Sequence, residues 1–213
     1  MNSILSYPSR GPYGDSNYRG NCSGYLIKDL LNLYTPKNFL ECFAGSGTGQ
    51  DVAKELGYTN SIHLDLNNKF GNFNLLKDKL PNGADFVFSH PPYWNIIPYS
   101  GQGNVWGSKP HEDDLSHVTN YQEFIMKLNL INKKIYNSIS NNGRHAILIG
   151  DIRRKGNYYS IIKDMAWFGH LESHLIKTQH NTKTQNKKYN NYNFIPIAHE
   201  HLLIFKKSTN IKA

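Results

Sequence analysis

The sequence predicts an α/β fold with a mostly parallel central sheet, helices on both faces and an antiparallel hairpin at its C-terminal end. A short apolar strand runs into a glycine-rich turn and then into a helix over residues 39–56. A second apolar strand, over residues 84–89, ends at two consecutive prolines. Prolines cannot continue a central strand because they donate no ladder hydrogen bond. Strand-like and helix-like patterns then alternate along the rest of the chain, which favours the α/β class.

The first half of the chain contains five predicted elements after an N-terminal loop. Residues 1–22 are rich in Tyr, Gly, Ser, Pro and Asn, which is a loop composition. A helix follows with Ser23 as its N-cap. One face of this helix carries the apolar residues Leu26, Ile27, Leu30 and Leu31. The next strands and helices are predicted over residues 38–42, 50–56, 61–66 and 84–89.

The second half begins with a long connection over residues 95–118, which contains three glycines and has no clear period. Loops of this length in compact domains are typically functional or disordered. Asn120 and Glu123 form a capping box before a helix. The apolar face of that helix carries Phe124, Leu128, Ile131, Ile135 and Ile139. The remaining elements are a strand over 145–150, a helix over 158–168, and two strands over 172–178 and 197–206. A short connection between the last two strands predicts that they pair antiparallel.

Composition limits the classes of protein that this chain can represent. At 213 residues it fits one domain, 1–213. It has no stretch of eighteen apolar residues and no signal-peptide pattern, so we expect a soluble, cytoplasmic protein with no membrane partner. The formal charge of +8 favours a polyanionic partner. We predict no metal site and no disulfide, because neither the two cysteines nor the acidic and histidine residues of the long loop match a ligand spacing: Cys22, Cys42, His111, Glu112, Asp113, Asp114 and His117.

The glycine-rich turn reads Phe-Leu-Glu-Cys-Phe-Ala-Gly-Ser-Gly-Thr-Gly over residues 39–49. Glycines at such a turn let the backbone approach a ligand closely, and the helix that follows offers unpaired N–H groups. The dinucleotide fingerprint Gly-x-Gly-x-x-Gly does not fit, because the last position counted from Gly45 is Gln50. The turn indicates a ligand site only in combination with the motif that follows it.

The second motif is Ser-His-Pro-Pro-Tyr-Trp, residues 89–94. The two prolines make the backbone leave the sheet rigidly. We therefore expect His90, the Pro91 carbonyl and the Tyr93 ring at the carboxyl edge of the sheet, where open α/β sheets bind ligands. A rigid cluster of acceptors beside an aromatic ring suits a flat base that carries an exocyclic amine.

Both motifs resemble those of the DNA amino-methyltransferases, which methylate N6 of adenine or N4 of cytosine. Residues 89–94 are similar to their Asp/Asn/Ser-Pro-Pro-Tyr/Phe/Trp motif, and residues 41–48 to their Asp-Pro-Phe-x-Gly-Ser-Gly-Thr loop, which binds S-adenosylmethionine. The resemblance covers nearly the whole chain. It implies a Rossmann-like methyltransferase fold in the unpermuted order, in a small form that forms a single methyltransferase domain without a separate target-recognition domain.

The resemblance also implies site residues. For S-adenosylmethionine these are Glu41, Phe43, Ala44, Gly45, Ser46, Gly47, Thr48 and Asp65. Glu41 would stand near the methionine ammonium group, and Asp65 either binds the ribose hydroxyls or is a solvated strand end. The catalytic residues would be His90, Pro91, Pro92 and Tyr93. His90 and the Pro91 carbonyl would accept hydrogen bonds from the target amine, and Tyr93 would stack on the base.

His90 departs from the family pattern, since adenine enzymes usually have Asp or Asn at this position and cytosine enzymes usually have Ser. A neutral imidazole has one acceptor nitrogen, so it can replace them if its other nitrogen donates elsewhere. As the target of methylation, we expect N6 of adenine slightly ahead of N4 of cytosine. Two alternatives stay open: an RNA base amino-methyltransferase of the same fold, and a catalytically weak module that binds cofactor and nucleic acid.

The expected partner is double-stranded DNA with its target base flipped out of the helix. Residues 177–188 contain four lysines and no acid, which suits phosphate contact, although a hairpin tip without a binding role would have the same composition. The candidate nucleic-acid contacts are Trp94, Arg153, Arg154, Lys183, Lys187 and Lys188. No separate recognition region fits in the chain, so short loops, a second subunit in a homodimer or another protein must supply recognition.

Overall fold

The structure, a computed structural model, describes residues 1–180 and 195–208. The candidate contacts Lys183, Lys187 and Lys188 lie outside the described residues. Within these ranges the chain forms a seven-stranded sheet covered by helices, together with a separate two-stranded hairpin. None of the helices described is long and apolar enough to cross a membrane.

The first half of the chain supplies four strands of the large sheet and two helices. In chain order these are β1 Ile4–Ser6, α1 Gly24–Tyr34, β2 Phe39–Cys42, α2 Thr48–Glu55, β3 Ile62–Leu64 and β4 Phe86–Ser89. The second half supplies the remaining elements. These are α3 Tyr121–Ser138, β5 Arg144–Ile149, β6 Ile152–Arg154, β7 Asn157–Tyr159, α4 Ile161–Asp164, β8 His170–Thr178 and β9 His199–Lys206.

The strand order of the large sheet is β1-β8-β9-β5-β4-β2-β3. Strand β2 pairs parallel with β3 and β4, and β4 pairs parallel with β5, whereas β9 is antiparallel to β5 and β8. The predicted mostly parallel sheet with a C-terminal antiparallel hairpin is therefore confirmed. The chain goes from β2 to β3 on one side and returns to β4 on the other, so the carboxyl ends of β2 and β4 meet at a topological switch point.

The central strands are buried on both faces. In β4, Phe86 and Phe88 point into the apolar cluster that contains the buried face of α1, while Val87 points into the cluster that contains α3. Parallel strands covered on both sides have this near-continuous apolar character. The α3 start also agrees with the sequence, because Asn120 Oδ1 accepts a hydrogen bond of 3.0 Å from the Glu123 N–H.

Two sequence predictions are wrong. Residues 1–22 were expected to form only a loop, yet Ile4–Ser6 form the edge strand β1, paired parallel with β8. The helix expected over 158–168 is limited to Ile161–Asp164, and the preceding residues form the β6–β7 hairpin. Lys155 and Gly156 both have positive φ values, 49° and 82°, at its two-residue turn, which is the geometry that joins antiparallel strands tightly.

Candidate functional site

Asp65, just after β3, holds the glycine-rich turn in place. Its Oδ2 accepts from the Gly45 N–H at 2.8 Å and its Oδ1 from the Asn67 N–H at 2.9 Å, while Asn67 Nδ2 donates to the Gly45 carbonyl at 2.9 Å. Burial raises the pKa of Asp65, and the N–H groups of Asn67 and Gly45 oppose that rise. Each carboxylate oxygen keeps a further lone pair, so Asp65 can still accept from a ligand in the cleft that it lines.

Glu41 occupies the centre of β2 with 2% of its surface exposed. Its Oε2 lies 2.7 Å from His63 Nδ1, and His63 Nε2 lies 3.0 Å from the Ser61 hydroxyl. Burial raises the pKa of the Glu41 carboxyl, and the hydrogen bond with His63 opposes that rise. His63 was not predicted as a site residue. It faces Glu41 because Glu41 and His63 are direct partners in the β2–β3 register.

Gly49, in the first turn of α2, leaves room for the Glu41 carboxylate. A Cβ at this position would lie well inside van der Waals contact of Oε1. Alanine normally stabilises a helix interior by about 1 kcal/mol relative to glycine. Here we expect Gly49→Ala to lower the free energy of unfolding by about 1–3 kcal/mol, because the clash displaces a buried, hydrogen-bonded carboxylate. Denaturant unfolding measures the change.

The control for this prediction is Gln50→Ala, an exposed neighbour in the same helix, which should leave the free energy of unfolding nearly unchanged. A Gly49→Ala variant that is more stable than wild type would mean that the Glu41 carboxylate lies elsewhere.

A cleft opens at the carboxyl ends of β2, β3 and β4, above the glycine-rich turn. Its polar lining includes Glu41, Asp65 and Thr48, and the Thr48 hydroxyl is buried with no partner among the described residues. Its apolar lining includes Leu66, Phe73, Leu75 and Leu76. The predicted residues Phe43, Ala44 and Gly45 also line this cleft. A ligand with a flat apolar part, hydroxyl groups and a charged end matches this distribution.

Two tyrosines that the sequence did not single out line the cleft. Tyr18 comes from the N-terminal segment and Tyr99 from the long loop, and their ring centroids are 6.0 Å apart. The long loop is fastened by Asp114, whose Oδ2 accepts from the N–H and the hydroxyl of Ser100 at 2.8 and 2.7 Å. The predicted loop over 95–118 therefore contributes to the site as an ordered wall.

Ser46 and Gly47 do not line the cleft, although the sequence placed them with the other cofactor residues. Ser46 Oγ accepts from the Asp15 N–H at 3.0 Å and from Asn21 Nδ2 at 2.7 Å, so it ties the N-terminal segment to the turn. Gly47 has a φ of 94°, and a Cβ there would meet Lys69 Nζ at 2.9 Å. Both residues shape the turn instead of facing the cleft.

His90 follows β4 and begins a partly buried chain of hydrogen bonds. Its Nε2 lies 2.9 Å from the Tyr93 hydroxyl, which donates to Glu200 Oε1 at 2.7 Å, and Glu200 Oε2 is paired with Lys177. Glu200 and Lys177 lie directly opposite each other in the β8–β9 hairpin. The Tyr93 ring packs on Gly150, where a Cβ would lie 2.7 Å from the ring, and it also lines a cavity described below. That Tyr93 stacks on a base stays a prediction.

The His90 side chain is neutral at physiological pH. Burial lowers its pKa to about 4, and Lys177 adds to this while Glu200 opposes it. Nδ1 makes no hydrogen bond with any residue in the described ranges. The ring therefore presents an unused nitrogen at the carboxyl end of β4.

A second cavity, of about 540 Å³, adjoins the first at His90. His90 lines both cavities, together with Gly20, Asn21 and Tyr99. Pro92 faces the first cavity, whereas Pro91 and Tyr93 face the second. The arrangement places a neutral nitrogen base where two ligands bound in adjoining cavities would meet.

The three candidate nucleic-acid contacts in the described residues lie in different environments. Trp94 is only 5% exposed, and its Nε1 donates to the Val118 carbonyl at 2.7 Å, so the expectation of a nucleic-acid contact there is corrected to a core position. Arg154 is exposed and lies over the Trp94 ring at 5.1 Å. Arg153 lines the second cavity.

No protein-family model matches the chain, and no curated protein matches its sequence. Solved structures do match. TrmN from Thermus thermophilus has a TM-score of 0.51 at 15% identity, over 89% of this chain and 50% of that one. A Listeria monocytogenes protein provisionally assigned to the class I S-adenosylmethionine-dependent methyltransferases has a TM-score of 0.50 at 14% identity, over 93% of this chain and 64% of that one.

A Thermus thermophilus protein provisionally assigned as a DNA modification methylase also matches, at 15% identity over 65% of this chain and 50% of that one. Its TM-score of 0.39 is too low to support a conclusion. The chain spans about half the length of TrmN and of this protein. From its sheet topology and the two matches with TM-scores of 0.51 and 0.50, the chain has the Rossmann-like fold of the class I methyltransferases.

Proposed function

We propose that this chain is an S-adenosylmethionine-dependent methyltransferase that acts on an exocyclic amino group of a DNA base, with N6-adenine slightly ahead of N4-cytosine. The observation that carries the proposal is the position of His90. It stands between two adjoining cavities as a neutral imidazole with an unused acceptor nitrogen. A methyl donor in one cavity and an amine in the other would meet at this residue.

The first cavity suits the cofactor. Its apolar lining residues, among them Phe73 and Leu75, suit an adenine ring. Asp65 is in place to accept from ribose hydroxyls, and the buried, unpartnered Thr48 hydroxyl offers a hydrogen bond to the amino-acid end. Glu41 brings a carboxylate to the same wall. When bound, the cofactor supplies an activated methyl group on a sulfonium.

The second cavity suits the target amine. An aromatic amine is a poor nucleophile because its lone pair is delocalised into the ring. Acceptors aimed at its N–H protons draw the nitrogen towards sp³ geometry and stabilise the positive charge that develops. His90 Nδ1 and the Pro91 carbonyl are the acceptors that we assign to this task, and most of the remaining rate would come from positioning the two reactants.

The choice of DNA rests on the resemblance of residues 89–94 to the amino-methyltransferase motif and on charge. The formal charge of +8 favours a polyanion. Arg10 and Arg153 both line the second cavity, where they can contact phosphates beside a flipped nucleotide.

The test is incubation with S-adenosylmethionine labelled on its methyl group and separate pools of DNA and RNA, followed by digestion to nucleosides. The proposal predicts label in N6-methyladenine or N4-methylcytosine from DNA. Label only in RNA nucleosides would move the substrate to RNA. Label in neither pool, with cofactor binding intact, would leave a binding module without turnover and contradict the proposal.

A further inference from the structure

A chain of hydrogen bonds leads from Lys177 through Glu200 and Tyr93 to His90, and the chemistry of these groups determines which partner donates in each bond. Burial, the largest single influence, would raise the pKa of Glu200. The opposing interactions, of which the charge of the Lys177 ammonium is the largest, together hold that pKa below its usual value, so Glu200 is an ionised carboxylate. An ionised carboxylate only accepts hydrogen bonds. Its Oε2 accepts from Lys177, and its Oε1 accepts from Tyr93.

Tyr93 has one hydroxyl proton, which it uses in the hydrogen bond to Glu200 Oε1. Burial and the Glu200 charge raise the pKa of Tyr93 well above its usual value, so the hydroxyl keeps that proton. The phenolic oxygen can then only accept from His90 Nε2, which lies 2.9 Å away. The proton of the neutral imidazole is therefore on Nε2, and Nδ1 carries the free lone pair.

We infer that Glu200 and Lys177 are positioning residues which, through Tyr93, fix the tautomer of His90 so that Nδ1 receives the proton released by the methylated amine. The catalytic half of this inference rests on the proposed function; the tautomer does not. Neither residue lies in the two motifs. The hairpin register places them opposite each other, and both are 8% exposed.

The proton balance of the step is complete. The amine lone pair forms the N–CH₃ bond as the S–CH₃ bond breaks, and the electron pair of that bond remains on sulfur. The nitrogen then carries two protons, one methyl group and a positive charge. One N–H bond breaks, its electron pair returns to nitrogen, and the proton passes to His90 Nδ1. An N-protonated aromatic amine is a strong acid, so even an imidazole of pKa about 4 accepts from it.

The resulting imidazolium would be stabilised by the same chain. Nε2–H continues to donate to Tyr93, and the Glu200 charge lies one hydrogen bond further on. The proton then leaves Nδ1 for water in the second cavity, which restores the neutral ring.

Glu200→Gln is the sharpest test because the amide has nearly the same shape as the carboxylate but can reverse the direction of the hydrogen bonds from residue 200 to His90. Lys177 donates only, so it selects the carbonyl oxygen of the new amide and leaves the NH₂ group facing Tyr93. Tyr93 must then accept from the amide and donate to His90 Nε2. The imidazole proton moves to Nδ1, where it points a donor at the target amine.

The measurement is ¹⁵N NMR of histidine-labelled protein at neutral pH, with the His90 signals assigned from a His90→Asn variant. Wild type should show a protonated Nε2 and a bare Nδ1, and Glu200→Gln the reverse. Tyr93→Phe, which removes only the link, should give a mixture of tautomers. A wild-type ring protonated on Nδ1, or a tautomer that neither variant changes, would overturn the inference.

Glu172→Gln is the matched control. Glu172 lies on β8, the strand paired with the β9 strand that carries Glu200. Like Glu200 it is paired with a cation, Arg144, at 2.7 Å and accepts from a tyrosine, the Tyr34 hydroxyl at 3.3 Å, but it lines neither cavity. The Glu172→Gln variant should leave the His90 NMR signals and the turnover unchanged. In folded protein, Glu200→Gln should lower kcat about 100-fold with the cofactor Kd unchanged.

The two proposals can fail separately. Correct tautomers in a protein that methylates no nucleic acid would contradict the proposed function and leave the tautomer assignment intact. If the Glu200→Gln and Tyr93→Phe variants both methylate at the wild-type rate, the catalytic half of the inference is contradicted and the proposed function is retained.

Discussion

Replacing His90 with alanine is expected to lower kcat by about 10²- to 10³-fold, which corresponds to about 2–4 kcal/mol of transition-state stabilisation. The change removes the acceptor nitrogen that we place on the target amine. Cofactor affinity should stay nearly constant, because His90 meets the first cavity only at its junction with the second. Single-turnover methylation and equilibrium binding of the cofactor separate the two effects.

His90→Asn is the conservative comparison, since it keeps an acceptor and does not titrate. It should retain more activity than His90→Ala. Equal turnover of wild type and the alanine variant would mean that backbone carbonyls alone hold the amine.

The same residue sets a pH dependence. Because burial lowers the pKa of His90 to about 4, the acceptor stays neutral well below the usual pKa near 6.5, and turnover limited by His90 should fall only as the pH approaches 4. The pKa of His145 is also lowered by burial, to about 3. The unfolded chain takes up these protons first, so the free energy of unfolding decreases as the pH falls below about 6.5.

That loss of stability needs its own control. His90→Asn lacks the titration of this ring, so its acid limb should be flatter than that of wild type at pH values where both remain folded by circular dichroism. A wild-type limb centred near 6.5 that persists in the asparagine variant would contradict the assignment to His90.

Trp94→Ala is expected to lower the free energy of unfolding by about 3–5 kcal/mol, the range for removing a large buried aromatic side chain. Trp94 packs edge-to-face with Tyr121 and Tyr159, with ring centroids 5.2 and 5.1 Å away. Its indole N–H also satisfies the Val118 carbonyl, which the alanine variant leaves without that partner. Chemical denaturation with two-state analysis measures the loss.

Trp94→Phe provides the comparison, because it keeps most of the apolar volume and should cost less than the alanine change. The alternative, a nucleic-acid contact, predicts the opposite pattern. Unchanged unfolding with weakened DNA binding in Trp94→Ala would restore Trp94 to the binding surface.

The sequence located the parts of the site that local chemistry determines. The positive φ of Gly45 and Gly47 and the fixed φ of Pro91 and Pro92 are properties of the residues themselves. Such constraints mark a turn wherever they occur, and the order of strands around the two turns then predicted the sheet that the structure contains.

The missed residues depend on contacts between distant parts of the chain. The hydrogen bond from Tyr93 to Glu200 joins residues 107 positions apart, and no local pattern predicts it. Lys177 and Glu200 become partners only through the hairpin register. Tyr18 lies in a segment whose composition indicated a loop, and no motif there marked Tyr18 as a site residue. Strand β1 was missed for the same reason, since three residues contain too little pattern without their partner β8.

The pairing of β1 with β8 also has a consequence for biosynthesis. The Thr178 hydroxyl donates to the Leu5 carbonyl at 3.0 Å, across 173 residues of chain. At about 5–20 residues per second, a ribosome takes roughly ten to thirty seconds to synthesise that interval. During this time the β1 segment has no strand to pair with. The edge that carries Lys177 can therefore form only after most of the chain has been translated, so the chain of hydrogen bonds from Lys177 to His90 is completed late in folding.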